Sequence, residues 1–204
     1  LRKRGESLKL IAVTNDRLPD HRLADVLLAI QPSVDAVILR EKSKTDREMI
    51  RLIDHLVESG FERQKLIVHG RADIALACGI ERVQLPGHGI PPALIRNKIS
   101  GLSLGKSVHS YNEAISASED GVDWVLYGHL FDTRSKEGLP ARGTAELSKI
   151  IADLPIPTYA IGGIQPSHLK ELDRLGVAGV AIMSSIFDSD QPGQAIRKYR
   201  RELE

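Results

Sequence analysis

The residues best suited to chemistry in this 204-residue chain gather just behind short apolar runs. Residues 124–127, Trp-Val-Leu-Tyr, are followed by Gly128, His129 and a polar loop bearing Arg134, Lys136 and Arg142. Four consecutive apolar residues read as a fully buried strand, and Gly128 frees the backbone to turn, so His129 falls at a strand's carboxyl end. An imidazole, whose unperturbed pKa lies near ~6.5, can accept and donate protons around neutral pH. Beneath a loop longer than an ordinary strand-to-helix connection, His129 is a candidate acid or base. A hydrogen-bonded structural histidine is the plainer alternative.

The elements that would hold such residues alternate along the chain. Strand-like runs at 8–14, 36–39, 66–68, 82–85, 101–107, 124–127, 158–161 and 179–182 are each followed by an amphipathic or helix-starting segment. Pro19 and Pro32 bracket the first helix, Thr45 with Glu48 and Ser110 with Glu113 have capping-box spacing, and Gly60, Gly79, Gly121 and Gly176 close helices. The composition narrows the function classes. Lys and Arg number 28 against 27 Asp and Glu, and no basic face is interleaved with aromatics, which argues against a nucleic-acid binder. The single cysteine, Cys78, rules out an internal disulfide or a cysteine-rich metal site and reads as core. No run approaches the ~18 apolar residues of a membrane span. Residues 1–7 are basic without an apolar segment behind them, so they read as a disordered extension rather than a signal peptide. The expectation is one soluble cytoplasmic domain, 1–204, that contacts neither membrane nor nucleic acid; a homo-oligomer is left open.

Apolar strands each followed by a helix imply a parallel sheet covered on its outer side, and eight such units in a chain of this length imply a single-domain α/β fold, the (β/α)8 TIM barrel. An open doubly wound sheet would carry a glycine-rich turn after the first strand, where this chain has Thr14-Asn15-Asp16-Arg17. Barrels place chemistry at the carboxyl ends of their strands. Those ends hold Thr14 and Asn15, Arg40 and Lys42, His69, Gln84, Ser107 and His109, His129, Gly162-Gly163, and Ser184-Ser185. Backbone N–H groups at the last two sites, each preceding a helix, form a phosphate seat, although Gly162-Gly163 could also serve only a tight turn. The set is rich in cations and poor in carboxylates, which suits an anionic ligand.

These segments resemble the thiamin phosphate synthase superfamily, and within it the TenI branch of thiazole tautomerases. The resemblance rests on residues 12–16 (Ala-Val-Thr-Asn-Asp), 38–42 (Ile-Leu-Arg-Glu-Lys), 105–109 (Gly-Lys-Ser-Val-His), 128–133 (Gly-His-Leu-Phe-Asp-Thr) with Lys136, 160–164 (Ala-Ile-Gly-Gly-Ile) and 180–185 (Val-Ala-Ile-Met-Ser-Ser). Synthases displace pyrophosphate and use Mg²⁺ held by acidic residues after the third and fourth strands, where this chain has His69-Gly70-Arg71 and Pro86-Gly87-His88-Gly89. They also carry a proline where this chain has His129. The branch therefore implies a thiazole tautomerase, an isomerase of thiamin biosynthesis with no cofactor and no metal, in which His129 moves protons on a thiazole phosphate. On that reading Gly162, Gly163, Ser184 and Ser185 hold the phosphate, while Arg40, Lys42 and Lys136 meet the carboxylate. Gln84 and Ser107 line the floor, and His109 is a second acid or base, or else a helix cap. A Mg²⁺-dependent synthase and a silent thiazole or thiamin phosphate-binding regulator are the alternatives.

Overall fold

The computed structural model describes residues 7–133, 136 and 138–203. Arg134 and almost all of the expected N-terminal extension lie outside them. Eight parallel strands close into a barrel in sequence order: β1 (Lys9–Val13), β2 (Ala36–Leu39), β3 (Leu66–His69), β4 (Arg82–Leu85), β5 (Ser103–Val108), β6 (Trp124–Gly128), β7 (Thr158–Ile161) and β8 (Gly179–Ile182). Around it run α1 (Asp20–Ile30), α2 (Asp46–Glu58), α3 (Ala72–Ala77), α4 (Pro92–Arg96), α5 (Tyr111–Glu119), α6 (Thr144–Asp153), α7 (Leu169–Leu175), α8 (Ser184–Phe187) and α9 (Pro192–Arg201). The TIM-barrel expectation holds.

Strand residues alternate between two cores. Leu10, Ala12, Val37, Leu39, Leu66 and Val68 point outward and pack under the helices. Ile11, Val13, Ala36, Ile38, Ile67, Leu126 and Ala181 fill the barrel interior. Burial on both faces is why the strands read as unbroken apolar runs. The circle closes where Leu10 pairs with Val180 and Ile11 with Ala181. Gly179 is required there, because a Cβ would strike the Lys9 carbonyl.

The first capping box forms as expected: the Glu48 N–H donates to Thr45 Oγ1 and the Thr45 N–H to Glu48 Oε2, at 2.8 Å. The second is only half made. Ser110 Oγ accepts from the Glu113 N–H, but the Glu113 carboxylate takes the His109 N–H instead of that of Ser110. Cys78 is buried, as expected. Among the described residues no helix is long and apolar enough to cross a membrane.

Candidate functional site

The carboxyl ends of the strands surround one cavity of about 700 Å³. The eleven residues given a catalytic or binding role from the sequence all line it: Arg40 and Lys42 after β2, Gln84 in β4, Ser107 and His109 at the end of β5, His129 and Lys136 after β6, Gly162 and Gly163 after β7, and Ser184 and Ser185 opening α8; Thr14 and Asn15 do not. Its floor is apolar, built from Val13, Ile38, Leu126, Ile161 and Ala181. The sequence reading gave no binding role to His69, His88, Asp132 or Asp188, which also line it. Position at a strand end was the available signal for His69; for His88 and Asp188, on loop and short-helix ends, there was none.

His129 is 7% exposed. Its Nε2 lies 3.2 Å from the Leu139 carbonyl, which only accepts, so Nε2 carries the proton and ties the loop after β6 to the strand end. The Arg142 N–H donates to the His129 carbonyl and Arg142 Nε to the Gly128 carbonyl, fastening the loop's far end. Arg142 is thereby a structural residue. His109 Nδ1 donates to the same Gly128 carbonyl at 2.6 Å, and Ser110, not the His109 side chain, caps α5.

The glycine pair answers a steric demand. Gly162 and Gly163 have φ of 101° and 65°, and a Cβ on either would collide with the chain leaving β6: His129 at the first, the Phe131 and Asp132 carbonyls at the second. That chain is held on them by hydrogen bonds from Leu130 N–H to the Ile161 carbonyl and Phe131 N–H to the Gly162 carbonyl, both 2.9 Å. Opposite, α8 begins at Ser184 without a side-chain cap. The Ile186 and Phe187 N–H groups donate to the Met183 carbonyl, and those of Ser184 and Ser185, at the helix start, face an acceptor only from outside the helix.

Electrostatically the wall is positive. Arg40, Lys42 and Lys136 line it, and none forms an ion pair among the described residues. Of the lining carboxylates, Asp188 is committed to Asn15 Nδ2 at 2.7 Å and Arg17 at 3.2 Å, and Asp132 is exposed. His69 is pushed down to about 4, first by burial and then by the charges of Arg40, Lys42 and His88. It is neutral at pH 7.

Mg²⁺ demands about six oxygen ligands in near-octahedral array. The ends of β3 and β4 offer His69, Arg71 and His88 instead, beside the cationic Arg40 and Lys42. Among the described residues no three His, Cys, Asp or Glu side chains converge to hold a metal. The side chains at these two strand ends do not fit the ion.

The family model described as thiamine monophosphate synthase matches residues 10–186. The chain belongs to the thiamine monophosphate synthase family. It is 31% identical to a thiamine-phosphate synthase of Pyrococcus furiosus, over 97% of this chain and 95% of that one. It is 35% identical to another of Chlorobium luteolum, over 83% and 81%. The solved thiamine phosphate pyrophosphorylase from Pyrococcus furiosus superposes with a TM-score of 0.83 at 29% identity, covering 96% of this chain and 95% of that one. These relatives are named as synthases, which are transferases, and this overturns the expected TenI-type tautomerase, an isomerase. That expectation rested on two local departures, His129 and the loops after β3 and β4, against a likeness that runs nearly the full length.

Proposed function

We propose that the chain is a thiamine-phosphate synthase, a transferase that joins a thiazole phosphate to a pyrimidine-methyl group and releases pyrophosphate. The observation that carries this reading is its near full-length similarity to synthases named as such. The cavity supports it by offering two separate places for anions. One is the Gly162-Gly163 turn with Ser184 and Ser185, suited to the thiazole's phosphate monoester. The other is the wall of Arg40, Lys42 and Lys136, suited to pyrophosphate.

In this transfer the bond between the pyrimidine methylene and the pyrophosphate oxygen breaks, and its electron pair leaves with pyrophosphate. The thiazole ring nitrogen forms the new bond with its lone pair and becomes cationic. No proton moves at either bond, so the chemistry needs charge stabilisation and alignment more than a general base. Arg40, Lys42 and Lys136 supply the positive charge against the leaving group. The apolar floor holds the two rings and excludes water from the methylene carbon. His129 acts by holding the loop that carries Lys136, through its bond to the Leu139 carbonyl. Because the β3 and β4 ends do not fit Mg²⁺, Arg40, Lys42 and Lys136 carry the charge stabilisation.

The test is to supply the purified chain with the pyrimidine-methyl pyrophosphate and the thiazole phosphate and to follow thiamine phosphate by its fluorescent oxidation product. Formation above the protein-free background is the expected result. Absence of product with both substrates saturating, with and without added Mg²⁺, would refute the reading.

A further inference from the structure

Beneath the cavity a chain of hydrogen bonds crosses three strands. Gln84 of β4, Gly105 of β5 and Trp124 of β6 are register partners in one layer of the barrel. Gly105 has no side chain to fill its place: a Cβ there would collide with the Trp124 indole and with Gln84 Oε1. Through that gap Trp124 Nε1 reaches Gln84 Oε1 at 2.8 Å. Gln84 Nε2 in turn lies 3.2 Å from Ser107 Oγ. Gln84 is 1% exposed, and both Gln84 and Ser107 line the cavity.

The donors and acceptors in this chain are fixed by chemistry. An indole N–H only donates, so the Gln84 atom facing it must be the carbonyl oxygen, and the amide nitrogen is turned toward Ser107. The Ser107 oxygen then accepts from Gln84, which leaves its own O–H to donate elsewhere. We infer that Trp124 is a positioning residue that locks the Gln84 amide, so that Ser107 presents a hydroxyl donor to a ring nitrogen of the bound substrate. The ligand class follows from the surroundings. All three side chains are uncharged, and Leu126, the register partner of Ser107, also lines the floor, so the part of the ligand that reaches them is a neutral heteroaromatic ring rather than a phosphate. The inference rests on the synthase reading only in taking this cavity as the substrate site.

Trp124 is the only tryptophan in the chain, which supplies a direct reporter. Thiamine phosphate is titrated into the wild type, Ser107→Ala and Gln84→Glu, all of which keep Trp124, and indole emission is followed as a function of pH. In Gln84→Glu an ionised carboxylate accepts from both Trp124 and Ser107, turning the serine proton inward. Both variants are expected to bind about tenfold more weakly at pH 8, a loss in the range of one hydrogen bond. On acidification the Gln84→Glu carboxyl becomes protonated, donates to Ser107 again, and recovers affinity relative to the wild type. Ser107→Ala does not recover. A third variant, Trp124→Phe, followed by turnover, raises the KM of one substrate severalfold while kcat holds. Wild-type affinity in both Ser107→Ala and Gln84→Glu, or a Gln84→Glu loss that does not reverse with pH, would overturn the inference. Failure of the wild type itself to bind thiamine phosphate would overturn the synthase reading on which it stands.

Discussion

Arg40 and Lys42 follow β2 on the cavity wall, neither in an ion pair among the described residues, and their charge adds to burial in depressing the His69 pKa. Replacing Arg40 with Met is expected to raise the KM for the pyrophosphate-bearing substrate tenfold or more while leaving that for the thiazole phosphate within about twofold, because a charge-assisted contact of ~1.5–3 kcal/mol is lost at one anion place only. Steady-state kinetics with each substrate varied in turn checks this. His69 gives a second prediction. Its folded pKa of about 4 lies below the ordinary 6.5, so the unfolded chain binds the proton first. Its contribution to stability is complete above pH 6.5 and is lost as pH falls through 4, amounting to about 3 kcal/mol. Urea unfolding at pH 7, 5.5 and 4 should show that decline, with a shallower one in His69→Gln; equal slopes would contradict it. The charged strand-end residues were legible in the sequence because Arg40 directly follows an apolar run and Lys42 and Lys136 lie in the loops that such runs feed. Trp124 was not. It reads as one more apolar strand residue, and its partner Gln84 is 40 positions away, joined to it only by closure of the sheet.

The elements deliver these side chains through close backbone approaches that only glycine allows. A Cβ on Gly128 would strike the Ile161 carbonyl, and one on Gly163 the Phe131 and Asp132 carbonyls. Gly163→Ala should therefore push the loop after β6 off β7. The expected outcome is a KM for thiazole phosphate raised at least tenfold with the fold retained, read by kinetics beside circular dichroism. The last helix is fastened by a charge cluster: Arg200 of α9 donates to the Ser33 carbonyl and to Asp35 Oδ2 at 2.8 Å, and Asp35 also accepts from the Leu10 N–H. Burial acts to raise the Asp35 pKa, but Leu10, Arg200 and Lys9 outweigh it and hold the carboxyl below the usual range. That stability is present above the unfolded carboxyl value and is lost as pH falls through the folded one. Arg200→Ala should cost about 2 kcal/mol at pH 7, measured by urea unfolding, with the difference narrowing toward acid. The strand and helix order could be read from periodicity and caps. The half-made capping box at Ser110 could not, because the spacing does not say which of two adjacent N–H groups, that of His109 or that of Ser110, the Glu113 carboxylate takes.

For the molecule as a whole, the sequence carried the barrel and the location of its site, and it misjudged the reaction. One histidine and two loops serve as markers of branch in the sequence, and the names of the near full-length relatives outweigh them; in the structure His129 is bonded to the Leu139 carbonyl. On the synthase reading proposed above, the cavity at the carboxyl ends of the strands takes one anion at the Gly162-Gly163 turn with Ser184 and Ser185 and the other along Arg40, Lys42 and Lys136. The most direct measurement is ³¹P NMR of the purified chain with both substrates, with the pyrimidine-methyl pyrophosphate alone, and with the thiazole phosphate alone. A thiamine-phosphate synthase releases inorganic pyrophosphate only when both are present, one for each thiamine phosphate formed. Unchanged spectra with both substrates, or conversion of the thiazole phosphate by itself, would contradict the account.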